Sequence, residues 1–221
     1  MPVTISGDGT VTGLAVGGLP DGVVDADTLA ASSVTDAKIT AVASSKLSGA
    51  LPAISGASLT GISAGITHAT TWRLTSNLTG NQLPITTGAM ETSDDPSSGS
   101  LGSVVTVSSG VFTFPVTGIW RVTWNASVET DASTHNNVFT TEVTTNNGGA
   151  WDSVMRTRQG IYKMSSGTSY GSATSTCLVD VTNTSNVKVR FEYIAGQGSE
   201  RLIGDSGQNQ TSWEFIRLGD T

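Results

Sequence analysis

Aromatic residues are missing from the first 66 positions, and the first to appear is Trp72. A segment of that size without a large ring has little with which to build a globular core of its own. Cysteine is reduced to Cys177, which excludes an intrachain disulfide framework. Cations are also scarce: 11 Lys and Arg against 18 Asp and Glu leave a net charge of −7. Phosphate-backbone recognition needs clustered Lys and Arg, so no nucleic-acid partner is expected. No apolar run approaches the ~18 residues of a membrane span, so no membrane insertion is expected. Met1-Pro2-Val3-Thr4 offers neither a basic region nor an apolar stretch behind it, so no signal peptide is expected and folding in a cytosol is.

Chemistry-bearing residues are as sparse. His68 and His135 stand alone, with no His, Cys or carboxylate at ligand spacing, which argues against a zinc site. His135 sits in the polar stretch Asp131–Asn137, where an exposed imidazole is expected. Cys177 has no partner His and reads as a small core residue on a Val-rich strand. Neither a Gly-X-Ser-X-Gly elbow nor a P-loop occurs. The expectation is a non-enzyme with no catalytic residue and no cofactor. The one candidate for a metal is calcium at Asp94 and Asp95, beside Ser93 and Ser97, and this cluster lacks EF-hand spacing.

What is abundant is Ser, Thr, Val, Ala and 26 Gly, a composition that suits strands and tight turns. The richest stretch is 110–124, GVFTFPVTGIWRVTW. Phe112, Phe114 and Val116 alternate with small or polar residues before Gly118, and Trp120, Val122 and Trp124 alternate after it. Period-2 patterning on both sides of a glycine turn predicts two adjoining strands, each with one buried face. Further strands are predicted at 70–75, 103–107, 118–128, 137–145, 150–157, 160–164, 169–181, 186–195 and 210–218. Trp120, Val122, Trp124, Ala126 and Val128 share one face; Cys177, Val179 and Val181 share another, as do Val187, Val189, Phe191 and Tyr193. Asn146-Asn147-Gly148-Gly149 and Asn183-Thr184-Ser185-Asn186 are turn chemistry, and 91–102 reads as a surface loop. Short strands with tight turns and no helical pattern predict an all-β chain whose C-terminal part is a jelly-roll β-sandwich.

Residues 1–66 differ. Val, Leu, Ile and Ala recur at low charge, punctuated by Gly-rich turns at 6–13, 17–22 and 47–62. Asp27 and Thr35 have the chemistry of helix caps. Apolar residues without the mass to bury them are commonly buried against copies of themselves. The prediction is an elongated, repetitive, Gly-rich stalk over 1–66 ordered by trimerisation, ahead of a head domain over 67–221. The alternative is a flexible Gly/Ser/Ala linker.

The run Phe112-Thr-Phe-Pro-Val-Thr-Gly118-Ile-Trp120-Arg-Val122-Thr-Trp124 resembles the signature of the complement globular-head domain. The closing strand around Trp213 and Phe215, and a first strand around Trp72, resemble that family too. It departs at Val122, where the family usually has an aromatic. The resemblance implies a core signature of Phe112, Gly118, Trp120, Val122, Trp124, Trp213 and Phe215. It also implies a homotrimer, as in that family and the related tumour-necrosis-factor group. In the N-terminal part, Ile5–Gly13, Val34–Ile39 and Leu51–Gly61 resemble shaft and linker segments of tailed-phage fibres.

Together the two resemblances imply a virion structural protein, assembled in the host cytoplasm: a homotrimeric tail fibre anchored to another virion protein through residues 1–66. Its head would contact a host cell-surface receptor, with a glycan among the candidate ligands. The alternatives are a head fibre or capsid decoration of the same architecture, a secreted complement-head-like adhesion module, and a glycan depolymerase. Trp151, Tyr162 and Tyr170, near predicted loops or strand ends, are the candidate surface-binding residues, because rings stack on carbohydrate. The competing expectation is that they fill the core or a trimer interface.

Overall fold

A computed structural model of the chain describes residues 65–86, 90–92 and 99–221, together with Thr4, Ile5, Gly7, Val11, Thr12 and Val34. The chain divides into two units, Met1–Thr60 and Gly61–Thr221. In the first, β1 (Thr4–Ile5) pairs antiparallel with β2 (Val11–Thr12). The predicted caps Asp27 and Thr35, and most of the predicted stalk, lie outside the described residues.

Every regular element described in the second unit is a strand: β3 (Ala69–Leu74), β4 (Leu78–Thr79), β5 (Met90–Thr92), β6 (Thr106–Ser108), β7 (Val111–Thr113), β8 (Gly118–Thr130), β9 (Thr134–Thr144), β10 (Asp152–Ile161), β11 (Ser169–Val181), β12 (Lys188–Ile194), β13 (Arg201–Leu202) and β14 (Ser212–Gly219). They form two antiparallel sheets. One runs β10-β9-β12-β7-β6. The other is built on β8, whose full length pairs with β11 along one edge. Its other edge is shared by β14 and β13, which lead outward to β3, β5 and β4. The all-β jelly-roll sandwich expected from the sequence is what the chain adopts.

The prediction for 110–124 needs one correction. β7 and β8 are consecutive but do not pair: β7 lies between β12 and β6, whereas β8 lies in the opposite sheet. The turn before Gly118 is therefore a crossing between layers. The reason is burial. With the chain crossing over, the inward residues of both strands point into the same core, and Phe112 of β7 meets Trp213 and Phe215 of the opposite sheet at ring-centroid distances of 5.8 and 5.0 Å. A flat hairpin would have set them side by side in one layer.

β8 alternates without a break, burying Gly118, Trp120, Val122, Trp124, Ala126, Val128 and Thr130. Trp124 contacts Phe139 and Phe191 of the facing sheet, each at 5.4 Å. All seven signature residues are placed on this core side, with Val122 in register with Phe215 of β14 and Cys177 of β11. Aromatic burial of this density is worth about 1.5–3 kcal/mol per fully buried side chain. Two further departures from the sequence reading are local. The predicted strands 150–157 and 160–164 are one strand, β10, with irregularities between Ser153 and Met155 and between Gln159 and Ile161. The predicted loop 91–102 begins inside β5, where Glu91 and Thr92 pair with Arg73 and Trp72.

The β6–β7 hairpin turns on Ser109 and Gly110, both left-handed, with φ of 48° and 76°. That is the two-residue connection whose twist matches antiparallel strands. A Cβ on Gly110 would come within 2.0 Å of the Ile85 carbonyl oxygen, which is backbone and cannot step aside. Gly110→Ala is expected to destabilise the fold by about 2 kcal/mol or more. Gly198→Ala, where a Cβ meets nothing within 4 Å, should stay within about 0.5 kcal/mol of wild type. Chemical denaturation of the two variants side by side checks this.

Candidate functional site

None of the three candidate surface aromatics fills the core, and they do not form one site. Tyr162 follows β10 at the end of the sandwich where β8 turns into β9, and it is 84% exposed. Lys163 N donates to Ser133 Oγ there, at 2.9 Å, and a cleft of ≈ 270 Å³ holds Tyr162 with His135 and Gly160. His135 is exposed as expected, though as the second residue of strand β9 rather than in a loop. Tyr170 is 66% exposed on the outer face of β11, opposite Glu129 of β8. It lines a cleft of ≈ 390 Å³ with Ser127, Ile203 and Gln210. Trp151 lies at the other end of β10, where the β9–β10 loop meets the start of β12.

The outer face of the β8–β11 pair is the most extended surface of these. Thr123 and Thr176 hydroxyls lie 3.2 Å apart, Thr174 donates to Asn125 Oδ1 at 2.9 Å, and Arg121 is paired with Glu214 at 2.8 Å. Beside Arg121 in register stands Leu178, 64% exposed. Leu178 was not singled out from the sequence, but a signal was there: Cys177-Leu178-Val179 is an apolar run that breaks the alternation of β11, so one of the three must face out.

Trp151 has a built environment. Thr144 Oγ1 donates to Asn146 Oδ1 at 2.8 Å and accepts from Gly148 N at 3.0 Å; Asn146 Oδ1 also accepts from Ala150 N at 2.9 Å. Asn147 N donates to Asn186 O at 2.9 Å, which ties the loop to the β11–β12 turn. The Arg190 guanidinium lies 4.4 Å from the centroid of the indole. Arg190 is held in turn by Glu142 at 2.6 Å and Glu192 at 3.6 Å. Burial, and then the charge of neighbouring Glu142, push the Glu192 carboxyl up from its usual range. Beside Trp151 opens a cleft of ≈ 270 Å³ lined also by Ser108, Val111, Thr113, Asn147, Gly148 and Lys188. Nothing in the sequence pointed to Lys188 or Arg190, because a strand separated from Trp151 by two others in the chain delivers them.

The remaining candidates are the acidic pair, Cys177 and His68. Asp94 and Asp95 lie outside the described residues. Among the described residues no group of three or more His, Cys, Asp or Glu is placed to hold a metal ion. Cys177 packs against the core, and burial pushes its thiol up, away from the reactive thiolate. The His68 ring lies 6.0 Å from that of Trp120, and its Nδ1 is 3.0 Å from Thr67 Oγ1.

The fold is shared with known proteins. A tumour-necrosis-factor protein, Eiger of S. frugiperda, is similar over 72% of this chain and 96% of its own, with a TM-score of 0.51 at 11% identity. Two structures of murine APRIL, at pH 5.0 and pH 8.5, are each 10% identical and match over 68% of this chain and 98% of theirs, with TM-scores of 0.49 and 0.46. No protein-family model and no curated protein sequence matches the chain. At such identity the likeness to Eiger shows the fold alone, a jelly roll of the tumour-necrosis-factor type.

Proposed function

We propose that the chain is a structural protein of a tailed-phage virion: a homotrimeric tail fibre whose residues 67–221 form the head that meets the host surface. Residues 1–66 are then its stalk and the part that anchors it to the virion. The observation that carries the reading is the outer face of β8 and β11. Several of its polar groups are paired within the face: Thr123 with Thr176, Asn125 with Thr174 and Arg121 with Glu214. Such pairing lowers the desolvation cost of covering these groups. Leu178 and Tyr170 stand out from it and gain by being covered.

A second copy of the same chain is the occupant favoured by the apolar segment 1–66, which needs neighbours to bury its Val, Leu and Ile. The shaft-like phrases of that segment support a fibre over a free secreted module. Three heads held on one stalk would bind weak surface ligands with avidity.

Light scattering of the full chain tests this. A solution mass of three times the chain's 22.6 kDa is expected. The mass of a single chain would sink the fibre reading and leave a lone sandwich with a flexible leader. On the particle, antibodies to the protein should decorate the tail of the phage that encodes it. Decoration confined to the capsid would move the protein to a head fibre.

A further inference from the structure

The cleft beside Trp151 joins an aromatic ring, an unneutralised cation and several hydrogen-bonding groups. We propose that it is a subsite for one unit of an acidic polysaccharide, with the sugar ring stacked on Trp151 and its carboxylate on Lys188. The proposal rests on the head reading above and names the ligand class that the head would take.

The first argument is preorganisation. Trp151 is held from behind by the Arg190 guanidinium, itself clamped by two carboxylates. From the side it is positioned by the Thr144–Asn146–Ala150 hydrogen bonds. A ligand meeting this indole has little side-chain entropy left to remove. Arg190 does not line the cleft, so the cleft meets indole surface that the guanidinium leaves uncovered.

The second argument is charge. Lys188 lines the cleft and has no ion-pair partner among the described residues. In a chain of net charge −7, a cation left unpaired in a concave site selects an anion. Lys188 and Arg190 together disfavour a cationic ligand on the same ring, which removes quaternary ammonium groups as candidates.

The third argument is size and polarity. The cleft, at ≈ 270 Å³, falls just below the ~300 Å³ lower end of small-ligand sites, so it holds one ring and not an extended chain. Ser108 and Thr113 hydroxyls and the Asn147 amide match the hydroxyl groups around a sugar better than the backbone of an acidic peptide.

Isothermal titration calorimetry on the full chain tests it. The probes are trigalacturonate, its neutral methyl ester, 3′-sialyllactose and hexaglutamate. At least one acidic sugar is expected to bind with a Kd below about 10 mM, tighter than hexaglutamate. Trp151→Ala should weaken it by about tenfold or more, and Trp151→Phe should keep most of the affinity. Lys188→Gln should cost about tenfold toward the acid while leaving the methyl ester unchanged. Gly198→Ala, outside the cleft, should bind as wild type. A cooperative urea transition in each variant separates lost binding from lost fold.

The proposal is overturned if no acidic sugar binds below that limit. It is equally overturned if Trp151→Ala or Lys188→Gln binds as wild type, or if hexaglutamate binds at least as tightly. Host-cell adsorption that survives Trp151→Ala would overturn this subsite and leave the head reading standing. A single-chain mass in light scattering would remove the fibre reading and leave the calorimetry to stand by itself.

Discussion

Phe112→Ala is expected to lower the free energy of unfolding by about 3–5 kcal/mol. The side chain is fully buried and touches four rings: Trp72 at 6.1 Å, Phe191 at 5.4 Å, Trp213 at 5.8 Å and Phe215 at 5.0 Å. Three of those belong to the sheet opposite β7, so the ring joins the two layers. Its removal loses both the transfer free energy of the ring and the contacts of the cavity walls, which are themselves rigid aromatics that collapse poorly. Against a net stability of about 5–15 kcal/mol for a domain, that is a large share. The urea midpoint should fall with little change in m, measured at fixed protein concentration because an oligomer's stability depends on it. Tyr162→Ala, at an exposed position, should change stability by less than about 0.5 kcal/mol. A loss under about 1 kcal/mol for Phe112→Ala would mean that β7 does not close the core.

Leu178→Lys is expected to convert the proposed trimer to single chains while the near-ultraviolet circular dichroism of the buried tryptophans stays intact. Leu178 lies opposite Arg121 in the β8–β11 ladder, and Glu214 already neutralises that arginine. A lysine there replaces an apolar contact with a second cation beside Arg121, and the symmetry of the proposed trimer would repeat the change in every subunit. Burying a charge at a subunit contact costs several kcal/mol per site. On the other sheet, Val154→Lys alters another exposed apolar residue, in β10, and should leave the mass unchanged. Light scattering of both variants reads the result. A trimeric Leu178→Lys protein would place the subunit contacts on another face.

The amino-acid sequence by itself determined the all-β class, the jelly-roll reading and the inward faces of β8, β11 and β12. Side-chain alternation is a local property, and in β8, β11 and β12 it runs long enough to be unambiguous: Trp120 to Val128, Val179 to Val181, and Val189 to Tyr193 are all buried as their spacing requires. Strands of two or three residues, such as β4, β5 and β13, carry no period and stayed invisible. Their existence depends on an edge being available to pair with. One strand, β10, looked like two because Arg156 to Gly160 carries no apolar side chain to mark its period.

Tertiary structure alone decided which strands face one another. The crossing between β7 and β8 leaves no mark in the sequence, since either a hairpin or a crossover would bury Phe112 and Trp124. It also decided that Tyr170 faces the open side of a sheet while Trp151 shares a cleft with Lys188. Such juxtapositions come from pairings between distant strands, Lys188 standing opposite Thr144 in β9 and Thr113 in β7. A one-dimensional pattern says which face of a strand is buried; only the packed sheets say what that face, or the other one, meets.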